Sequence, residues 1–466
     1  MAVDAKQLVS SISAAESYRI IASLRFASTL LRTRLPIGSL QGRQGILNRA
    51  IVEWLRCRFV LSFWGSAAIS ESRARMEKFR SAIEMVKALE PDLPVFAARP
   101  HAAGRAARWF TKNFPGEVAY AYKANSSVFL VGALYGAGIT QFDVASVAEL
   151  EDAATIPGVR LHFMHPVKPR HAIRKAYFDY DIKCFALDSE DELQKIVEET
   201  GGAKDLELFV RIAVPAKNSR VPLERKFGIT GQKAAKLLVK TRQVADELGI
   251  TFHVGSQTTT PDAYAMAFEE VRKLIVKAGV VVDAIDVGGG FPSQYTDSVP
   301  ARLSDFIEVI RIAKAKMPVT EHCRLICEPG RALVAEAESL IVKVDLRKGD
   351  ELYINDGGYG ALYDSAQLGF VFPVRLIREG LDANEPLLPF EFWGPTCDSI
   401  DHMKGPFLLP ASVREGDYIE IGNIGAYGRA LSSRFNGYGS YHDVILEDEP
   451  MYSIYEMENE KIAKNA

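Results

Sequence analysis

Cysteine is scarce in this chain: Cys57, Cys184, Cys323, Cys327 and Cys397 are the five in 466 residues. They are too few and too scattered for a disulfide framework, which excludes a small stapled secreted domain and fits a reducing cytoplasm. Cys323 and Cys327 lie close together, but no second Cys or His pair stands at zinc-ligand spacing, so no metal site is expected. Long hydrophobic runs are missing too. No stretch reaches the roughly 18 apolar residues of a membrane span. The nearest, Phe59 to Ile69, is short and follows Arg56 and Arg58. Excess charge of one sign is also lacking: 56 basic against 59 acidic side chains leave −3. That balance gives no reason to expect nucleic acid or an anionic membrane as a partner.

What is present reads as a globular protein, with 48% hydrophobic and 25% charged residues. The length suffices for two domains and an extra segment. The first 75 residues differ from the rest, with ten Arg and one Lys against four acidic residues and many Ser and Ala. Three readings stand side by side: an organellar transit peptide, upstream sequence preceding a start at Met76, or an amphipathic partner-binding helix. We assign this segment no chemistry and treat residues 1–85 as an N-terminal extension.

From about residue 115, short β-rich runs alternate with segments of helical period, the pattern of βα units and a parallel sheet. The runs are Val118–Lys123, Gln141–Ser146, Arg160–Pro166, Ile182–Asp188, Glu207–Val214, Phe252–Ser256, Ala284–Gly289 and Arg324–Gly330. Between them lie helical patterns such as Pro261–Gly279, where Phe268, Val271, Leu274 and Ile275 share one face. Eight such units fit a (β/α)8 barrel; a doubly wound open sheet is the alternative. After residue 335 the helices fade. Leu340–Leu346, Glu351–Asn355, Val371–Arg378 and Tyr418–Ile421 read as strands of a mostly β domain, to which Leu93–Ala97 could add another. The expected organisation is therefore a barrel over 86–335, with that strand before it, and a β-rich domain over 336–466.

Barrels of this type bind ligands where the strands end. Here those ends are polar and glycine-rich: Tyr122-Lys123-Ala124-Asn125, Asp143, His165, Arg211, His253-Val254-Gly255-Ser256, Gly288-Gly289-Gly290 and Glu328-Pro329-Gly330-Arg331. Singly each has an ordinary explanation. Lys123 could be a solvated surface charge, His253 a satisfied core residue, the glycines a tight turn, and Glu328 with Arg331 a local ion pair. Together they support one chemistry. Glycine N–H groups with Arg331 nearby suit a phosphate. A lysine buried at a barrel mouth should have a lowered pKa, as attack on an aldehyde requires. A carboxylate beside a pyridine nitrogen makes the ring an electron sink. Phosphate, aldehyde and pyridine make up pyridoxal phosphate.

The motifs also resemble a known family. Tyr-Lys-Ala-Asn (122–125), Phe-Asp-Val-Ala-Ser (142–146), His-Val-Gly-Ser (253–256), Gly-Gly-Gly-Phe (288–291) and Glu-Pro-Gly-Arg (328–331) follow one another in order. Gly-Pro-Thr-Cys-Asp-Ser-Ile-Asp (394–401), Gly-Ala-Tyr (425–427) and Phe-Asn-Gly-Tyr (435–438) come later. This series resembles the fold-type-III pyridoxal-phosphate decarboxylases, the ornithine, lysine, arginine and diaminopimelate group, over roughly residues 90 to 445. The resemblance implies that Lys123 bonds the cofactor, His253 stacks on its ring and Glu328 pairs with the ring nitrogen. Ser256, Gly288, Gly289, Gly290, Arg331 and Tyr427 would hold the phosphate, with Asp143 and Arg211 in the network around the ring. Cys397 would return a proton to the substrate carbon from across the interface of a homodimer with shared active sites.

The resemblance also bears on substrate. Asp398, where diaminopimelate enzymes typically carry Glu, favours a substrate ending in a simple amine, such as ornithine or lysine. Asn355-Asp356-Gly357 is followed by Tyr363-Asp364 at a shorter spacing than many ornithine decarboxylases show. Asp364 either meets the distal amine or is only a loop residue. The implied activity is decarboxylation of a basic amino acid in the cytoplasm, of the kind that opens polyamine synthesis. A diaminopimelate or carboxylated-polyamine decarboxylase is the nearer alternative, and a non-catalytic regulatory relative the more distant one.

Overall fold

A computed structural model describes residues 77–216, 219–223, 226–382 and 384–455. The three readings of the segment before Met76 lie outside these residues. Eight parallel strands close into a barrel: β1 (Glu117–Ala121), β2 (Gln141–Val144), β3 (Arg160–Phe163), β4 (Cys184–Leu187), β5 (Glu207–Ile212), β6 (Glu247–Phe252), β7 (Ala284–Asp286) and β8 (Arg324–Cys327). Each pairs with its neighbour in sequence, and β8 returns to β1.

Alternation along each strand divides the side chains between two environments. One set faces the surrounding helices: Tyr120, Phe142, Val144, Phe163, Phe185, Val210, Ile250 and Ile285 all join the main apolar core. Burying each such side chain contributes about 1.5–3 kcal/mol. The other set faces the barrel axis, where Met164, Cys184, Ala186, Phe209, Ala284 and Ile326 form a small separate cluster. Asp143, His162, Thr251, Asp286 and Glu328 are buried on these strands too, at β2, β3, β6, β7 and just past β8. An apolar outer shell thus encloses an interior that is part apolar and part polar.

Helices start where capping residues place them. Ser146 and Ser189 accept the backbone N–H of Glu149 and Glu192, and Glu149 in turn accepts the N–H of Ala145. The helix Asp262–Ala278 closes on Gly279, at φ 64°, whose N–H bonds Ile275 O. Its bounds lie within a residue of those the sequence predicts.

Ser219–Val221 pairs with Ser256–Thr258 in a separate two-stranded ribbon, and nine of the other strands build a second sheet. Glu338–Lys348 is its spine, pairing with Val95–Ala98, Tyr418–Ile421 and Glu351–Ile354. The strand expected at Leu93–Ala97 therefore belongs to this sheet, as do Lys78–Phe79 and the unanticipated strands Leu387–Trp393, His402–Pro410 and His442–Leu446. Residues 77–98 thus build on the second domain, and the helix Ala82–Leu89 runs across the boundary placed at residue 85.

One barrel strand differs from expectation. The sixth runs Glu247–Phe252 rather than Phe252–Ser256. Within it Gly249 faces the barrel interior, where the Phe209 ring occupies the space a Cβ would take, at 2.3 Å. His253 consequently lies just past the strand, at the mouth of the barrel.

Charged residues close the opposite end. Arg324 donates to Glu117 at 3.2 Å, to Glu207 at 3.0 Å and to Glu247, while Arg160 donates to Glu207 at 2.6 Å. Each is the first residue of its strand. We predict that Arg324→Met lowers stability by about 2 kcal/mol, since it leaves three half-buried carboxylates without their shared cation. Urea unfolding measures this, and cofactor affinity should stay unchanged because the site lies at the other end.

Candidate active site

The mouth of the barrel holds a cavity of about 390 Å³. Lys123 enters it from a single turn of 3-10 helix, Tyr122–Ala124, that follows β1. That turn is fixed by contacts with a distant segment. Asn125 Nδ2 donates to Gly425 O at 2.7 Å and to the buried Glu338 at 3.0 Å, and Tyr427 N donates to Ala124 O at 2.8 Å. The Tyr-Lys-Ala-Asn and Gly-Ala-Tyr motifs, some 300 residues apart, are therefore one physical unit.

Lys123 Nζ donates to Asp143 Oδ2 at 2.8 Å. Asp143 is 3% exposed, whereas the Lys123 side chain is 43% exposed, into the cavity. Burial alone disfavours the charged amine. Asp143 first, then Tyr427 and Glu328, more than offset it, and the net shift is upward. The expectation of a lowered lysine pKa is therefore corrected: three negative or electron-rich neighbours outweigh desolvation.

Across the cavity, Glu328 is 5% exposed. Burial, then the charges of Asp143 and Asp286, push its carboxyl well above the usual range, against Lys123 and Arg211. Asp286, buried and bonded to Thr251 Oγ1 and Gly288 N, is raised to about 6, mainly by desolvation. His253 Nδ1 accepts the N–H of Gly255 at 3.0 Å, which leaves the ring proton on Nε2. Burial and the cations Arg211 and Lys123 hold that imidazole neutral.

One end of the cavity narrows into a recess lined by Ser256, Gly289, Gly290, Gly330, Arg331 and Tyr427. A Cβ on Gly290 would meet Gly255 O at 2.7 Å, and one on Gly289 would meet Glu328 O at 2.8 Å. Only bare backbone lets the walls approach this closely. Gly288 is not part of the lining; it packs on Phe252 O, and its N–H bonds Asp286. Arg331 is held by Tyr295 OH and Asp364 Oδ2, both at 2.8 Å, with Ser256 Oγ at 3.5 Å.

These residues fit pyridoxal phosphate. The glycine-walled recess with a buried guanidinium suits the phosphate, and a buried carboxyl that holds a proton more tightly than usual suits the ring nitrogen. Lys123 faces the space between them.

The structure divides the predicted residues into two groups. Lys123, Asp143, Arg211, His253, Ser256, Glu328, Arg331, Asp364 and Tyr427 line one cavity, with Gly289 and Gly290 at its narrow end. Asp364 is buried there against Arg331. Cys397 and Asp398 do not line it. Cys397 is exposed, its N–H donating to Asn436 Oδ1 at 3.1 Å, and Asp398 accepts Tyr359 OH at 2.6 Å. Sequence reasoning missed His165, Lys226 and Phe227 as cavity residues. His165 was noted as a strand end, but Lys226 sits in a charged run that reads as a solvated loop.

Comparison with known proteins agrees with this geometry. The pyridoxal binding domain of the pyridoxal-dependent decarboxylases matches residues 102–335. Lysine/ornithine decarboxylase of Selenomonas ruminantium is 30% identical over 404 residues, 84% of this chain and 100% of that protein. Antizyme inhibitor 2 of Xenopus laevis is 32% identical over 345 residues, 68% of this chain and 73% of that one. The arginine decarboxylase of Paramecium bursaria Chlorella virus, bound to agmatine, superposes with a TM-score of 0.70 at 25% identity, covering 78% of this chain and 98% of that one. The chain belongs to the pyridoxal-dependent decarboxylases. It is a pyridoxal-phosphate-dependent amino-acid decarboxylase of fold type III.

Arg331→Met should weaken pyridoxal phosphate binding by roughly 10- to 100-fold, the worth of one or two charge-assisted hydrogen bonds. Fluorescence titration of the cofactor-free protein measures it.

Proposed function

We propose that the enzyme decarboxylates L-ornithine or L-lysine at active sites completed by a second subunit. The observation that carries the second half is the position of Cys397 and Asp398. Their loop is firmly built: the Asp401 carboxylate accepts Gly358 N at 2.7 Å and Thr396 Oγ1 at 2.7 Å, and Asn436 holds Cys397 N. Yet the loop presents Cys397 and Ile400 outward, beside exposed Phe435 and Tyr438, rather than into its own cavity. A rigid functional loop displayed on a partly apolar surface suits insertion into the cavity of a second copy.

Bound pyridoxal phosphate supplies the electron sink for the bond that breaks at the substrate α-carbon. The chain's residues do the rest. Arg331, fixed by Asp364 and Tyr295, would hold the phosphate with Ser256 and the glycine N–H groups. His253 would offer its neutral ring as a wall, and Glu328, whose carboxyl is shifted upward, would meet the ring nitrogen. Asp143 orients Lys123 Nζ and takes up its charge. From the partner, Asp398 would meet the distal ammonium, since the hydrogen bond from Tyr359 holds its carboxyl below the ordinary range. The Cys397 thiol would return a proton to the carbon that loses CO2. Asp364 spends its inner oxygen on Arg331, so Asp398 is the better partner for the amine. The four described cysteines are free thiols, in keeping with a cytoplasmic location.

The test is CO2 release from L-ornithine, L-lysine, L-arginine and meso-diaminopimelate. Ornithine or lysine should exceed diaminopimelate by at least about tenfold in kcat/KM, because the latter brings a carboxylate toward Asp398. Release only from diaminopimelate overturns the substrate assignment, and release from none overturns the activity proposed. A second test addresses the shared site. Lys123→Ala and Cys397→Ala should each be nearly inactive as pure proteins. Mixed and allowed to exchange subunits, they should recover about a quarter of native activity, because random pairing leaves one site in four with both residues. No recovery would place the whole site within one chain.

A further inference from the structure

The barrel interior holds an ionisable side chain with no part in the steps above. His162, on β3, is 1% exposed. Its Nδ1 lies 3.5 Å from Sγ of Cys184 on β4, a buried thiol that desolvation keeps protonated. The Cys184 S–H reaches two acceptors, His162 Nδ1 at 3.5 Å and Met164 Sδ at 3.9 Å; the imidazole nitrogen is the nearer and the stronger, so the thiol proton is assigned to Nδ1 and the imidazole proton to Nε2. That Nε2 is buried and meets no acceptor.

Asp143 shows the reverse deficit. Its Oδ2 holds Lys123, while its Oδ1 is buried and receives no donor. Asp143 and His162 are register partners on adjacent parallel strands. Both side chains therefore point to the barrel axis, about 4.8 Å apart at the backbone. A buried N–H lacking an acceptor and a carboxylate oxygen lacking a donor thus belong to side chains on the same face of neighbouring strands. Left unmet, each costs about 1–3 kcal/mol, and a site with two such partners is where buried water is held.

We propose that one ordered water bridges His162 Nε2–H and Asp143 Oδ1, making His162 a positioning residue that fixes the carboxylate holding Lys123. The inference rests on the reading that Lys123 carries the cofactor. Burial, then the Arg160 charge, lowers the imidazole pKa to about 4; Asp143 and Glu117 act the other way, and Arg324 adds to the lowering. His162 is therefore neutral at physiological pH, a permanent donor rather than a switch. With Oδ1 hydrogen-bonded to that water, the carboxylate of Asp143 is held against the Lys123 nitrogen and favours a proton there.

The visible band of the bound cofactor reports that proton and can be titrated with pH in the intact holoenzyme. In His162→Ile the midpoint should fall by about one pH unit, the usual effect of losing one donor to a buried carboxylate. His162→Gln, which keeps an N–H, should recover at least half of the shift. An unchanged midpoint in His162→Ile, with the band intact and the melting temperature near native, overturns the proposal. Should that variant fail to fold, a high-resolution structure of the native holoenzyme decides. Density for a water within hydrogen-bond distance of both atoms supports the bridge, and none there overturns it. A native holoenzyme without the visible band would instead remove the Lys123 reading, and this inference with it.

Discussion

Everything at the barrel mouth depends on one balance of charge. Three carboxyl groups, Asp143, Asp286 and Glu328, are buried in one interior with Lys123 and Arg211 close enough to act on them. In so dry a space not all three can ionise freely. The Lys123–Asp143 pair takes one negative charge, and the cost of the others appears as the upward shifts at Glu328 and Asp286. A carboxyl whose hold on a proton is strengthened in this way is suited to share one with a ring nitrogen, as an ordinary surface glutamate is not. The outer apolar shell, together with the small apolar cluster on the axis, offsets the cost of this arrangement.

Separated segments complete the site. The Lys123 turn is secured by Asn125 to Gly425 and by Ala124 to Tyr427. Arg331 is steered by Asp364, from a helix after the spine of the second sheet. The Cys397 loop is tied to Asn436 and clamped by Asp401. Motifs that look independent along the chain are thus mechanically joined, and the β domain acts as a frame for the barrel's catalytic edge.

Much of this was legible in the sequence, for identifiable reasons. The eight strands were visible because their helix-facing halves are apolar and regular, and the site because its residues follow those strands. The sixth strand was misplaced because it contains Gly249, whose contact with the Phe209 ring no local pattern reveals. The direction of the Lys123 shift was misjudged because it depends on how many acceptors converge, not on burial alone. Asp364 was legible as a site residue but not as the partner of Arg331, and His162 passed unnoticed because a histidine within an apolar run resembles any core residue. The strands Leu387–Trp393 and His402–Pro410 were missed because prolines and exposed leucines blur their alternation.

The central claim is that Lys123, positioned by Asp143, is the residue that bonds the cofactor. Borohydride reduction of the holoenzyme would make that bond permanent, and peptide mass spectrometry would locate the added pyridoxyl group. The account predicts the label on Lys123 alone. A label on Lys226, which lines the same cavity, or on any other lysine would contradict it.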